Sequence, residues 1–363
     1  MSIRILHAAD LHLDAAFEGL PPEKAVLRRA EFRRLPGQIA AEAKNRGAEV
    51  LFLAGDVFDS DRVYPETLEV LAAALSSLTI PVFIAPGNHD FYSLRSPWQR
   101  LKLPENVHIF TQPRLECVPL PELGVNVWGA GYTSNACAPL LRSFRAPASD
   151  GLDLLLLHAE VDRAGSSYCP VTEAELAASG FTYAALGHVH STSGLRRAGD
   201  CSYAWPGCAA GRGFDECGEK GVLMAEVSAE NVTASFVPLH AREYREMSIP
   251  AGENALAAVL AALPEDAARH LYRITLTGQT NTPPDISALT AALSDEVFDL
   301  TLLDATTRED DVWAAMGEDT LRGLFLRRMR SRLDAAEGEG ERQLLLESVR
   351  LGLTALDGRE GPV

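Results

Sequence analysis

Long apolar runs are missing from this chain of 363 residues. The longest, such as 152–157, fall far short of the roughly 18 to 20 residues that a membrane-spanning helix requires, so no crossing of a bilayer is expected. The N-terminal stretch reaches a polar, charged motif within ten residues. That leaves no room for the apolar region and cleavage site of a signal peptide, and cytoplasmic residence is the expectation. Cysteine is scarce: there are six, with no C-x-x-C pair, which excludes a disulfide framework. Cys201, Cys208 and Cys217 cluster in one glycine-rich stretch, yet their spacing fits no common zinc pattern, so free thiols are expected. Positive charge is short too. The 33 Lys and Arg against 50 Asp and Glu leave a net −17, which argues against coating nucleic acid by bulk electrostatics. Any contact with DNA has to be local, through bound cations, clustered arginines or a partner subunit. Internal repeats and low-complexity tracts are also absent. What is present is an ordinary globular composition, 47% hydrophobic and 23% charged, at a length that suits two or so domains.

Through the first 240 residues, short apolar runs at 3–8, 50–54, 82–85, 152–157 and 183–186 each stop abruptly at Asp, Asn or His. Each has the length of a strand. A helical stretch over 23–46, closed by Gly47, and another over 65–77 separate the first three runs, and strands alternating with helices predict an α/β layered domain. Runs at 222–227 and 232–237, split by Ser228-Ala229-Glu230-Asn231, predict a hairpin that finishes the sheet. A first domain, of this α/β kind, is therefore expected over 1–241. A small α+β domain follows over 242–308, with extended segments at 244–249, 270–277 and 297–303 and helices at 254–263 and 286–293. From 309 to 363 the chain reads as a helical tail in two pieces, 311–336 and 341–356. In the first piece Leu321, Phe325, Met329 and Leu333 fall four apart and form one face, for packing at home or for docking a partner.

Five motifs in order carry the chemistry: Asp10-Leu11-His12, Gly55-Asp56-Val57-Phe58-Asp59, Gly87-Asn88-His89-Asp90, His158 and Gly187-His188-Val189-His190. Each sits where an apolar run ends, and ligand sites of open α/β sheets lie at the carboxyl ends of strands. Carboxylates, imidazoles and one amide, without a thiolate, suit manganese, iron or zinc. Two such ions can clamp both oxygens of a phosphoester displacement and acidify a bridging water. The available ligands are Asp10, His12, Asp56, Asn88, His158, His188 and His190, which leaves His89 free as a proton donor. Arg212, in a glycine-flanked loop, is a candidate phosphate contact against the alternative of an ion pair. His7 reads as a packed core residue. His108, His240 and His270 have no companion motif, and the scattered tryptophans read as core. The arginines at 322, 327, 328, 330 and 332 read as a solvated or partner-facing helix surface.

These motifs resemble the calcineurin-like metallophosphoesterase superfamily. The opening Ile5-Leu6-His7-Ala8-Ala9-Asp10-Leu11-His12-Leu13-Asp14, Ala54-Gly55-Asp56-Val57-Phe58-Asp59 and Pro86-Gly87-Asn88-His89-Asp90 are similar more narrowly to its DNA-repair exonuclease branch, SbcD-like proteins. Trp205-Pro206-Gly207 through Gly211-Arg212-Gly213-Phe214-Asp215-Glu216 and Glu219-Lys220-Gly221 resemble the YhaO proteins within it. The likeness covers roughly residues 1 to 240. It implies a four-layer fold of two β-sheets sandwiched between helices, with a small capping domain and helices after it. By position it implies Asp10, His12, Asp56 and His190 around one metal and Asp56, Asn88, His158 and His188 around the other, Asp56 bridging. It also implies that His89 serves the leaving oxygen, its ring oriented by Asp59 or Asp90, with Asp59 preferred. The implied metal is manganese, the implied substrate DNA, and the implied partners a second copy of the chain and a coiled-coil ATPase of the SbcC type at the C-terminal helices. Asp59 is followed by Ser60-Asp61 where the serine/threonine phosphatases carry Arg-Gly, so protein phosphatase activity is not expected. The alternative enzyme is a phosphatase or phosphodiesterase for a small nucleotide-like substrate. A scaffold that has lost catalysis would have lost ligands, and here the set is complete.

Overall fold

The computed structural model describes residues 2–280, 282–308 and 313–356, and its backbone divides into two compact units after Tyr244. In chain order the strands of the first unit are β1 Ser2–Ala8, β2 Val50–Leu53, β3 Val82–Ile84, β4 Val107–Ile109, β5 Glu116–Leu120, β6 Val125–Gly129, β7 Leu152–His158, β8 Tyr183–Gly187, β9 Arg196–Ala198, β10 Cys201–Ala204, β11 Gly221–Ser228 and β12 Val232–Pro238. They form two six-stranded sheets, ordered β12-β11-β1-β2-β3-β4 and β5-β6-β7-β8-β10-β9. Within them β1 to β4 run parallel, as do β6, β7, β8 and β10. The expected hairpin is present: β11 pairs antiparallel with both β12 and β1. Strands β4, β5, β6, β9 and β10 did not stand out as apolar runs. They are short or half-buried, and Pro119 lies in β5, at the edge of its sheet, where a missing N–H costs least.

Strand parity builds the layers, because successive side chains leave opposite faces. Leu6, Ala8, Leu51, Leu53, Val82 and Ile84 point into one core with Phe32, Leu35, Ile39, Leu71 and Leu75 of the helices. Ile3, Ile5, Val50, Phe52 and Phe83 point the other way and meet Val127, Leu154, Leu156 and Ala185 of the second sheet. The far face of that sheet buries Leu155, Leu157, Ala184 and Leu186 against Leu176 and Phe181. The result is two sheets face to face with helical layers outside, a mixed α/β architecture. His7 shares the parity of Ile3 and Ile5. It is fully buried between the sheets, 3.0 Å from Tyr183 Oη and 3.2 Å from Leu186 O, the core residue its position suggested.

The helices are α1 Pro22–Phe32, α2 Leu35–Asn45, α3 Pro65–Ser76 and α4 Glu173–Ser179. The single helix expected over 23–46 is thus two. Pro36 has no N–H to offer Phe32, and its ring clashes there, so the helix ends at Phe32 and restarts with proline in its first turn. The six cysteines are free thiols.

The second unit holds strands β13 Tyr244–Pro250, β14 Leu271–Thr277 and β16 Asp299–Asp304 in one sheet, the short parallel pair β15 Gln279–Thr280 and β17 Thr307–Arg308, and helices α5 Ala255–Ala262 and α6 Ile286–Leu293. Asn254 and Asp285 cap the two helices by accepting from the N–H groups of Ala257 and Ala288. Two further helices follow, α7 Leu321–Asp334 and α8 Glu339–Leu356. The expected start at Asp311 lies outside the described residues, as do 309, 310, 312 and 357–363 of the tail. α7 buries Leu326, Met329 and Leu333 against Leu345 and Val349 of α8, whereas Leu321 is 69% exposed. The predicted stripe is therefore rotated at its N-terminal end, because Leu326 and not Leu321 lines up with Met329 and Leu333 one and two turns on. No helix among the described residues is long and apolar enough to cross a membrane.

Candidate metal centre

The loops after β1 and β2 are zipped together by main-chain bonds. Asp10 N donates to Gly55 O at 3.0 Å, His12 N to Asp56 O at 2.9 Å and Leu13 N to Val57 O at 2.9 Å. Asp10 (φ 51°), His12 (φ 45°), Asp56 (φ 49°) and His188 (φ 93°) all adopt left-handed backbone, which costs a non-glycine residue about 1 kcal/mol or more. Four strained positions in one cluster mark a place where side-chain direction outweighs backbone preference. The glycines of the motifs explain themselves by crowding: a Cβ on Gly55 would lie 2.4 Å from His158 Nδ1, and one on Gly187 would lie 1.7 Å from Ala54 O.

Two nests of donor atoms result. In one, His12 Nε2 and His190 Nε2 stand 3.3 Å apart, and His190 Nε2 is 3.7 Å from Asp10 Oδ1. In the other, His158 Nε2 lies 3.0 Å from Asn88 Oδ1, 3.2 Å from His188 Nδ1 and 3.2 Å from Asp56 Oδ2. Asp56 Oδ2 is also 3.9 Å from His12 Nε2, so one carboxylate faces both nests. All seven residues expected as ligands come together here. His89 lies beside them, its ring edge-on to that of His12 with centroids 4.9 Å apart.

The chemistry of this donor set fits metal ions. His12 Nδ1 donates to Asp59 Oδ1 (3.1 Å), His190 Nδ1 to Glu216 Oε1 (2.7 Å) and His158 Nδ1 to Ala54 O (2.9 Å), while His188 Nε2 faces Glu160 Oε1 at 3.4 Å. His12, His190 and His158 thus spend their outer nitrogen on an oxygen and turn the other nitrogen inward, as metal-binding histidines do. Burial lowers His12 to about 4 and His188 to about 4, which keeps both neutral and ready to ligate. Burial also works against charge on His158, but the carboxylate of Asp56 outweighs it and raises His158 to about 9. Asp56 itself is held below the usual carboxylate range, burial being overcome by His158 and His12. Burial, with Asp56 nearby, raises Asp10 to about 6 despite the imidazoles around it.

Three expectations are corrected by these contacts. Among the described residues no carboxylate bonds the His89 ring: its Nδ1 donates to the main-chain carbonyl of Asp59 at 2.9 Å. The Asp59 carboxylate turns instead to His12 and to Arg212 Nη1, 3.0 Å away. Asp90 is a buried clamp, accepting from the N–H groups of Gly87 (2.7 Å), Val57 (2.8 Å) and Phe58 (3.3 Å), which ties the second loop to the third. Arg212 is paired with carboxylates, with Nη2 2.8 Å from Glu216 Oε1 as well as its contact to Asp59, the ion pairing that stood as the alternative to a phosphate contact. Glu216 is the residue that motif reading missed. It is nearly fully buried, and its contacts to His190 and Arg212 overcome that burial and hold its carboxyl far below the ordinary range. Its signal in the sequence was its place in the glycine-rich stretch that resembles the YhaO proteins, which named no role for it.

Residues 3–192 match the family model described as calcineurin-like phosphoesterase. The Bacillus subtilis protein named "Uncharacterized metallophosphoesterase YhaO" is 30% identical over 255 residues, 66% of this chain and 60% of that one. The SbcD component of nuclease SbcCD from Rhodobacter capsulatus is 32% identical over 132 residues, 35% of this chain and 27% of that one. The chain therefore spans less than two thirds of either relative. Among solved structures, TT1561 of Thermus thermophilus superposes with a TM-score of 0.40 at 12% identity, covering 65% of this chain and 99% of that one.

Proposed function

The chain belongs to the calcineurin-like phosphoesterases, a family of metal-dependent hydrolases, and on that premise we propose that it cleaves DNA phosphodiester bonds with two divalent ions. The observation that carries this reading is Asp56 Oδ2 standing between the two nests, 3.2 Å from His158 Nε2 and 3.9 Å from His12 Nε2. Asp10, His12 and His190 would hold one ion, Asn88, His158 and His188 the other, with Asp56 shared. When bound, such a pair supplies Lewis-acid polarisation of the phosphoryl oxygens and a water acidified toward neutral pH. Manganese is the proposed metal, and iron or zinc suits the same donors. His89, exposed and held through Nδ1 by the Asp59 carbonyl, presents Nε2 and delivers a proton to the leaving oxygen. Asp59 and Glu216, bridged by Arg212, hold His12 and His190 in their ligating orientation.

DNA as substrate is supported by the similarity to a nuclease component over 132 residues. The same similarity, to one component of an SbcCD nuclease, supports an SbcC-type partner, and the resemblance of the motifs supports DNA repair, a coiled-coil ATPase as that partner and a dimer of this chain. The exposed Leu321, Leu324, Leu344 and Leu351 of α7 and α8 offer the ATPase an apolar seat. The net charge of −17 favours a second reading, a phosphodiesterase or phosphatase for a small nucleotide-like substrate. Manganese-dependent degradation of end-labelled linear duplex and single-stranded DNA, with His188→Ala alongside, separates the two. Cleavage by the wild type and not by the variant supports the nuclease. Turnover of a small phosphodiester with every DNA form left intact supports the second reading.

Metal affinity should depend on pH in a definite direction. His158 rises to about 9 in the metal-free chain, so at pH 7 to 8 it carries a proton that an incoming ion must displace. Affinity of that nest for manganese should climb about tenfold per pH unit as pH rises toward 9, and level off above it. Calorimetric titration in buffers of different ionisation enthalpy measures the released proton directly. A flat affinity from pH 7 to 9 with no proton release would contradict the assignment of His158 as a ligand.

A further inference from the structure

A groove of about 610 Å³ opens beside the metal centre, lined by Asp59, Asp61, Arg29, Arg62, Arg100 and Tyr64 among others, a volume suited to a ligand of nucleotide size. Its charge is unlike that of the rest of the chain. Arg29 donates to the Ala16 carbonyl at 2.9 Å, and Arg100 lies 3.4 Å from the Val63 carbonyl. Among the described residues neither these two guanidinium groups nor that of Arg62 is paired with a carboxylate, whereas Arg28, Arg33 and Arg212 all are. The groove's own carboxylates are mostly engaged: Asp14 by Arg33 and Thr67, Asp59 by His12 and Arg212. That leaves Asp61 against three cations. Tyr64, at the start of α3, is 55% exposed, with the Arg33 guanidinium 5.2 Å from its ring centroid. A half-exposed aromatic ring lining the same groove as guanidiniums that hold no carboxylate is the combination that binds single strands, the ring stacking a base and the cations following the phosphates. Asp59 joins the two places, its carboxylate on His12 and its carbonyl on His89.

We propose that this groove takes the unpaired nucleotides adjoining the bond to be cut, with phosphates on Arg62, Arg100 and Arg29 and a base on Tyr64. The proposal rests on the reading of DNA as substrate. The test is binding of a fluorescein-labelled dT12 to the full chain in EDTA, by anisotropy across a salt series, with small-phosphodiester turnover measured separately in manganese. Each lost phosphate contact lowers the slope of log affinity against log salt by about 0.7 for a single strand, so Arg62→Ala/Arg100→Ala should flatten it by about 1.4. Tyr64→Ala should weaken binding about tenfold while keeping the wild-type slope, because stacking releases no counterions. Arg114→Ala, an exposed arginine outside the groove, controls for charge in general, and melting curves confirm that each variant folds. A wild-type slope in the double variant overturns the groove while leaving the nuclease reading in place. If the wild type fails to bind dT12 at low salt yet turns over the small phosphodiester, the groove and the DNA reading both fall and the two-metal reading survives.

Discussion

Asp56→Asn should slow phosphodiester hydrolysis by a thousandfold or more. The carboxylate is fully buried and is the group that faces both nests of ligands, so its replacement weakens both metal positions at once. Loss of several kcal/mol of transition-state stabilisation corresponds to roughly a thousandfold in rate. Asparagine keeps the shape and can still accept from His89 N, a bond of 2.9 Å to Oδ1, so the loop should remain folded. Initial rates on bis(p-nitrophenyl) phosphate, metal content by mass spectrometry and a melting curve check the three parts. A folded variant with normal metal content and activity within tenfold of wild type would remove Asp56 from the centre of the mechanism.

His89→Gln should separate substrates by their leaving groups. If His89 delivers the proton to the departing oxygen, cleavage of DNA, which expels a poor alkoxide leaving group, should fall about 10²- to 10⁴-fold. An ester of p-nitrophenol, whose anion leaves without a proton, should lose less than about tenfold. The contrast matters because His89 also lies within reach of His12 and Asp56, a grouping that could itself hold an ion. A ligand role predicts loss of metal and equal damage to both substrates. Metal content unchanged with a large gap between substrates supports the proton donor, and equal losses refute it.

Both predictions rest on positions legible from residue order. Asp10, Asp56, Asn88, His158 and His188 follow apolar runs, and parallel strands bring their ends to one edge whatever the loops do. The helices of the second unit were legible as segments at 254–263 and 286–293, and the fold adds Asn254 and Asp285 as their caps. The break at Pro36, which the reading of one helix over 23–46 passed over, follows from covalent geometry alone.

Partner choice was not legible. Asp90 adjoins His89 in the chain and Asp59 closes the preceding motif, and spacing gives either a claim on the His89 ring. The fold gives His89 a carbonyl, sends Asp59 to His12 and uses Asp90 to fasten main-chain N–H groups. Arg212 and Glu216 likewise gain their meaning from a loop that lies far along the chain from the residues it meets, Arg212 reaching Asp59 across 153 positions.

The sequence alone therefore determined the strands that read as apolar runs, where those end and which donor types gather there, because strand length, parity and composition are local properties, whereas the short or half-buried β4, β5, β6, β9 and β10 emerged only in the fold. Tertiary structure decided which nitrogen of each imidazole faces inward, which carboxylates hold imidazole rings, and which arginines among the described residues are left without a carboxylate beside the site. Those outcomes depend on left-handed loop backbone and on contacts between segments far apart in the chain, and neither leaves a pattern along it.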